Sequence, residues 1–296
     1  GGGGGALGGG GGRELSLQRR LLFLRFIELI EVWVWPAGSP HATLLASARL
    51  LSTDSAARAR LQSERGALLQ YVKDQMGSAR PPQHDEFGGP PGALRYFETI
   101  KGIDPNAIPR PLIPLSLLVE QPQAAPAPSV QEEWLVSMTF GDADDVAYAS
   151  HPRQRTEKIT LMPYAACAAC VARRTGSADG GVWDEWQLAP TTAGRAFAAL
   201  PLPILTGLPV HLNGRWEIAS DRNSLAPDDA PPRHEWNLRL AGRVCAAAYA
   251  RLLRELAYGS PLGGVLQLST AQRGEVVHAL LPPDALPGVF GLAASG

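Results

Sequence analysis

The stretch LPLPILTGLPVHLNG, residues 200–214, sets three prolines and two glycines into an apolar run. Asn213-Gly214 is the usual dipeptide of a two-residue hairpin turn, but side-chain parity argues against a turn there. Val210, Leu212, Gly214, Trp216 and Ile218 fall on even positions, and His211, Asn213, Arg215 and Glu217 on odd ones. One unbroken strand puts every apolar residue on one face and every polar residue on the other. A hairpin would pair Leu212 with Arg215 and Val210 with Glu217, and a register that spoils a buried face is strongly disfavoured. The pattern therefore predicts a single strand over 208–218, apolar toward a core and polar toward water, with a bulge allowed at Gly214. The chain reversal then belongs upstream, at Thr206-Gly207-Leu208-Pro209, following a strand over 194–203. Gly207 suits a positive φ there and Pro209 a rigid turn.

Outward from this segment, residues 232–258 read as one long helix. Trp236, Leu240, Val244, Ala248, Leu252 and Leu256 recur every fourth residue, and Gly259 and Pro261 end the pattern. Near the start, LSLQRRLLFLRF (15–26) has helical spacing, and FIELIEVWVW (26–35) is dense in β-branched and aromatic residues up to Pro36. Its apolar side chains occupy both parities, the mark of a central strand buried on both faces. ATLLASARLL (42–51) reads as a strand, and residues 54–76 as a helix capped by Asp54 or Ser55 and stopped by Gly77. Residues 77–92 form a Pro/Gly loop. PLIPLSLLVE and EEWLVSMTF are strands separated by the Pro/Ala linker QPQAAPAPSV, which leaves them without need of tight coupling. KITLMPYAACAACVA supplies a further strand, although its Ala-rich half also suits a helix.

The 296 residues carry 27 Lys+Arg against 28 Asp+Glu, a net charge of −1. So even a balance gives no field to draw in nucleic acid or an anionic membrane, and neither is expected as a partner. No apolar run reaches the roughly 18 residues of a membrane span. Three cysteines, Cys167, Cys170 and Cys245, have no framework spacing and point to a reduced, cytoplasmic setting. Residues 1–14 are Gly-rich and read as disordered, and 259–296 as a weakly structured tail in which GEVVHALL forms at most a short element.

Few residues form a pattern that carries chemistry. Cys167-Ala-Ala-Cys170 is a lone C-x-x-C whose thiols, on a strand, point to opposite faces. GDADDV (141–146) lacks the glycine and glutamate of a calcium loop, and its acids suit a helix start. The histidines have no paired spacing, and no phosphate loop or nucleophile elbow occurs with the right flanks. No cofactor is expected within these residues. Trp183 and Trp186 show no basic interleaving, which favours packing or partner contact over base stacking.

Residues 194–225, GRAFAALPLPILTGLPVHLNGRWEIASDRNSL, resemble the sacsin family through Leu200–Pro203, Thr206–Gly214, Trp216 and the Ser220–Arg222 turn. Weaker resemblance, in the same order, extends over 15–258. Ala226 stands where the family usually carries Trp. That family comprises giant cytosolic co-chaperones whose repeats begin with an ATPase module similar to heat-shock protein 90. The region matched here follows that module and lacks its nucleotide motifs, so the resemblance implies no ATP binding. It implies a role like that of a middle domain, with client proteins, a heat-shock protein 70 partner and an upstream ATPase module.

Together these readings predict an α+β domain over 15–258. Its mixed sheet holds strands 26–35, 132–140, 194–203 and 208–218 and is covered by the 232–258 helix. The candidate binding residues are Thr206, Gly207, Leu208, Pro209, Asn213 and Arg222, with Arg222 placed to reach a phosphate on a neighbouring module. The expected function is non-catalytic chaperone or co-chaperone work. A scaffold, or a cysteine enzyme using Cys167 or Cys170, are the alternatives.

Overall fold

The computed structural model describes residues 17–51, 55–78, 99–122, 129–156, 161–176, 182–190, 192–259 and 267–282. The Gly-rich residues 1–14 and most of the 77–92 loop lie outside them. The fold is α+β, as predicted, around a mixed nine-stranded sheet. The strands are β1 (Leu29–Val34), β2 (Thr43–Leu51), β3 (Leu112–Glu120), β4 (Ser129–Phe140), β5 (Tyr164–Gly176), β6 (Gln187–Leu188), β7 (Arg195–Ala198), β8 (Leu200–Leu205) and β9 (His211–Gly214). The spatial order is β1-β2-β3-β4-β5-β9-β7-β8, with β6 paired to the far end of β5. All pairings are antiparallel except β7 with β9.

β3 and β4 are tightly coupled despite the Pro/Ala linker between them. They pair without a slip from Leu112↔Ser137 to Glu120↔Ser129. The linker's composition governs only the connection, whereas the apolar faces of both strands set the register.

The predicted 194–203 strand is two strands. The chain reverses at Ala199, whose φ is +63°, and β8 folds back on β7 with Ala198 opposite Leu200. Residues 206–210 then carry the chain across the start of β7 to its other side, where β9 runs parallel to β7 and antiparallel to β5. The crossing is close. A Cβ on Gly194 would come inside 3.0 Å of the Leu208 and Val210 carbonyl oxygens and of Thr206 Oγ1.

β9 passes through Asn213 without a hairpin, as parity required, but it is shorter than predicted. Beyond Gly214 the backbone finds helix side chains in place of a neighbouring strand. Trp236 Nε1 donates to the Arg215 carbonyl at 2.8 Å, while Asn237 receives the Glu217 N–H at 2.9 Å and donates to the Glu217 carbonyl at 2.6 Å. Those groups are satisfied without a ladder, so the strand ends.

Those side chains belong to the long helix, here α5, which follows α1 (Leu17–Leu21), α2 (Ser55–Ser78), α3 (Ala143–Ala149) and α4 (Pro152–Thr156). α5 runs α-helical over Pro231–Arg239, π-helical over Leu240–Cys245 and α-helical again over Ala246–Tyr258. The period of four explains the π turn. In a pure α-helix a stripe at every fourth residue drifts by about 40° per step and leaves the sheet within a few turns. The wider π turn holds more residues and keeps Trp236, Leu240, Val244, Ala248, Leu252 and Leu256 in line, all buried. Each large side chain in that stripe contributes about 1.5–3 kcal/mol of burial. Within the 259–296 segment, α6 (Thr270–Ala279) starts in a Ser269/Gln272 capping box and packs on α5 through Val276.

α5 covers β4, β5 and β9 on one face of the sheet, and α1 covers the other. α1 touches β1, β2 and β3 and also β8 at the opposite edge, so the twisted sheet curls around it. Phe23, just after α1, meets the ring of Phe197 on β7 edge-on at 4.9 Å.

Candidate functional site

The curl decides the fate of the predicted polar face of β9. His211 and Asn213 point toward α1, not toward water, and their relative exposures are 0% and 4%. His211 stacks on Trp134 at 5.4 Å and accepts the Arg195 N–H at Nδ1 at 3.0 Å. Burial, with Arg19 and Arg195 nearby, pushes its pKa down to about 3, so the ring is neutral at pH 7. Asn213 accepts the Ala199 N–H at 2.8 Å and donates to the Tyr164 hydroxyl at 3.1 Å. It therefore fixes the β7–β8 reversal from within, and its side chain is not presented to a partner. Trp216 Nε1 holds the same corner through the Phe197 carbonyl at 3.0 Å.

Thr206 is equally internal. Its hydroxyl bonds the carbonyls of Leu208 and Val210 and receives the Leu208 N–H. Gly207 has φ +76° and lies at the surface, Pro209 is half-buried and Leu208 is buried. Gly207, Leu208 and Pro209 line a groove of about 360 Å³ with Leu205, Ala279 and Leu281. Arg222 is exposed, in a left-handed turn at φ +59°. The six predicted residues thus divide into an interior brace, a groove wall and one separate surface arginine.

The remaining polar groups largely serve the fold. Asp142 caps α3 through a capping box with Asp145, as the acidic start suggested. Asp145 is buried and also accepts from Arg239 at 2.7 Å and Arg243 at 2.9 Å. Glu132, fully buried, takes both Nε and Nη2 of Arg173 on one oxygen and Trp134 Nε1 on the other. Arg174 lies between the rings of Trp183 and Trp186, at 4.8 and 4.5 Å. The basic interleaving absent from the local sequence is therefore present in space, with the guanidinium already bonded to Gln131. Cys167 and Cys170 face opposite sides of the sheet, Cys167 toward Cys245. All three thiols are buried, and burial raises their pKa values.

Two surfaces escaped the sequence reading. The first is β1, expected to be central, which is an edge of the sheet. Ile30 and Val32 pack inward, while Leu29, Trp33 and Val34 stay exposed. Flanking them, Phe26 is 71% and Trp35 68% exposed. The expectation of a central strand buried on both faces therefore fails: among the described residues β1 has a strand on one side, and only Ile30 and Val32 turn inward. The opposite edge, β8, carries Pro201 and Pro203, which blunt it against further pairing. The second is a groove beside α5 lined by Arg243, Arg251 and Arg254 of the helix together with Arg110, which is distant in the chain and brought there only by the fold.

Among the described residues no helix is long and apolar enough to cross a membrane. No known family model matches the chain, and no solved structure matches it. The chain is 31% identical over 127 residues to Sacsin of Homo sapiens, a match that takes in 42% of this chain and 2% of that protein. Part of this chain is thus a sacsin-related region, corresponding to a small fraction of the length of its curated relative.

Proposed function

We propose that this chain is a non-catalytic interaction module of a sacsin-like chaperone or co-chaperone, and that it holds extended apolar segments of client proteins along β1. The observation that carries this reading is the β1 edge, which has no strand on its outer side among the described residues, with Leu29, Trp33 and Val34 exposed and Phe26 and Trp35 beside it. A strand edge offers unpaired N–H and C=O groups to any extended peptide, and such main-chain bonding is tolerant of sequence. Aromatic side chains on the adjoining surface add apolar contact at little entropic cost. An unfolded polypeptide exposing β-prone apolar stretches offers this edge both main-chain groups and apolar side chains. Client capture at β1 requires neither the heat-shock protein 70 partner nor the upstream ATPase module that the family resemblance implies.

Suppression of client aggregation tests the reading. The chain in molar excess over a chemically denatured client should lower light scattering, and the double variant Trp33→Lys/Trp35→Lys should lose most of that effect while keeping its thermal transition. No suppression at molar excess would favour a scaffold. Suppression untouched by the double variant would remove β1 from the account.

A further inference from the structure

The groove beside α5 is lined by four arginines, and the fold pairs them unevenly. Arg243, Ala247, Ala250, Arg251 and Arg254 share one face of α5 by helical spacing. They look onto the end of β4 and onto Arg110, and the two alanines leave a hollow of about 620 Å³. One end of it is neutralised internally, because Arg243 bonds Asp145 and Asp142 at 2.9 and 2.7 Å. At the other end, among the described residues, the arginines outnumber the carboxylates. Arg110, Arg251 and Arg254 lie there together, and the carboxylate beside them, Glu255, is 3.8 Å from Arg254.

Arg251 is the centre of this end. Its Nη1 stands 3.4 Å from the carbonyl oxygens of both Pro111 and Met138, long contacts for a charged donor. Arg110 Nη2 donates to the Pro105 carbonyl at 3.1 Å, and among the described residues its other N–H groups face the groove without a carboxylate. Partial burial, together with Arg254 and Arg110, lowers the pKa of Arg251 against the pull of Glu255. An arginine does not escape such repulsion by losing its proton, so the three cations remain and a bound anion relieves them.

We propose that this end of the groove binds the phosphate of a phosphorylated small molecule, with Arg110, Arg251 and Arg254 as its ligands. Guanidinium forks match tetrahedral phosphate oxygens two at a time. The hollow is larger than a bare phosphate needs and falls in the range of small-molecule sites, so the alanine-lined part receives the rest of the molecule. β1 takes no part, and client capture and anion binding stand or fall separately.

Calorimetric titration of the full chain with pyrophosphate, at ionic strength fixed with KCl, tests the site. Saturable binding at one equivalent is expected, weakened about tenfold or more in Arg251→Gln and in Arg254→Gln. The melting temperature of ligand-free Arg251→Gln should be unchanged or higher, because the substitution removes repulsion. Arg254, exposed at the surface, gives a second variant whose folding is not in question. Absence of saturable binding, or binding that both variants retain, would overturn the assignment. Citrate binding more tightly than pyrophosphate would overturn it in favour of a polycarboxylate.

Discussion

Replacing Asn213 with Ala separates a structural brace from a surface contact. In the native fold the side chain gives one hydrogen bond to the Tyr164 hydroxyl and takes one from the Ala199 N–H. The Tyr164 side is dry. Burial pushes that phenol up to about 12, and a stranded buried hydroxyl costs about 1–3 kcal/mol. The Ala199 side is at the surface, where water replaces the lost acceptor, so that bond accounts for about 0.5–1 kcal/mol. Ala199 also loses the contact that holds it at φ +63°. The two hydrogen-bond contributions sum to about 1.5–4 kcal/mol of lost stability. Urea unfolding followed by tryptophan fluorescence measures it, and with a slope of about 2–3 kcal/mol per molar the midpoint should fall by about 1 M. Tyr164→Phe should cost less, and the double variant should fall short of the sum because both changes break one bond. A loss within about 0.5 kcal/mol for Asn213→Ala, the usual size at a solvated site, would refute the placement of Asn213 inside the curl.

Other consequences follow from the same interior. His211 has a folded pKa of about 3 against about 6.5 unfolded, so its contribution is complete above pH 6.5 and is lost as pH falls toward 3. Over that window the native state should lose up to about 5 kcal/mol through this group, and urea midpoints for His211→Asn, which keeps an acceptor for the Arg195 N–H, should fall less steeply with acid. Asp145→Ala removes a carboxylate shared by two partly solvated arginines and a helix cap, and thermal unfolding should report about 2–4 kcal/mol. The exposed neighbour variant Asp144→Ala should stay within about 0.5 kcal/mol. Cys167, Cys170 and Cys245 should resist a disulfide reagent in the native protein and all react after denaturation. One thiol reacting at once at neutral pH would revive the cysteine-enzyme alternative.

The parts of the fold legible in the sequence are those specified by neighbouring residues. The stripe of α5, the Asp142 cap of α3 and the unbroken course of β9 through Asn213 each follow from spacing within a few residues. The π segment was implicit in the period of four, although the sequence alone read as one helix. What could not be read depends on distant partners. The reversal at Ala199 has neither Gly nor Asn of its own, and the residue that supports it is Asn213, on another strand. The odd face of β9 looks like a solvated face until the sheet curls and brings α1 over it. β1 is the informative failure: apolar residues on both parities predict a central strand buried on both faces, whereas β1 is an edge strand with Leu29, Trp33 and Val34 exposed, because strand neighbours are set by distant pairing and not by local pattern.

Hydrogen exchange along β1 tests the central claim most directly. With a permanently unfolded, carboxymethylated protein present in excess, amides over Leu29–Val34 should gain protection, while those of the proline-blunted edge β8 should not. Exchange at β1 that is unchanged by saturating client, or protection that appears at β8 instead, would contradict it.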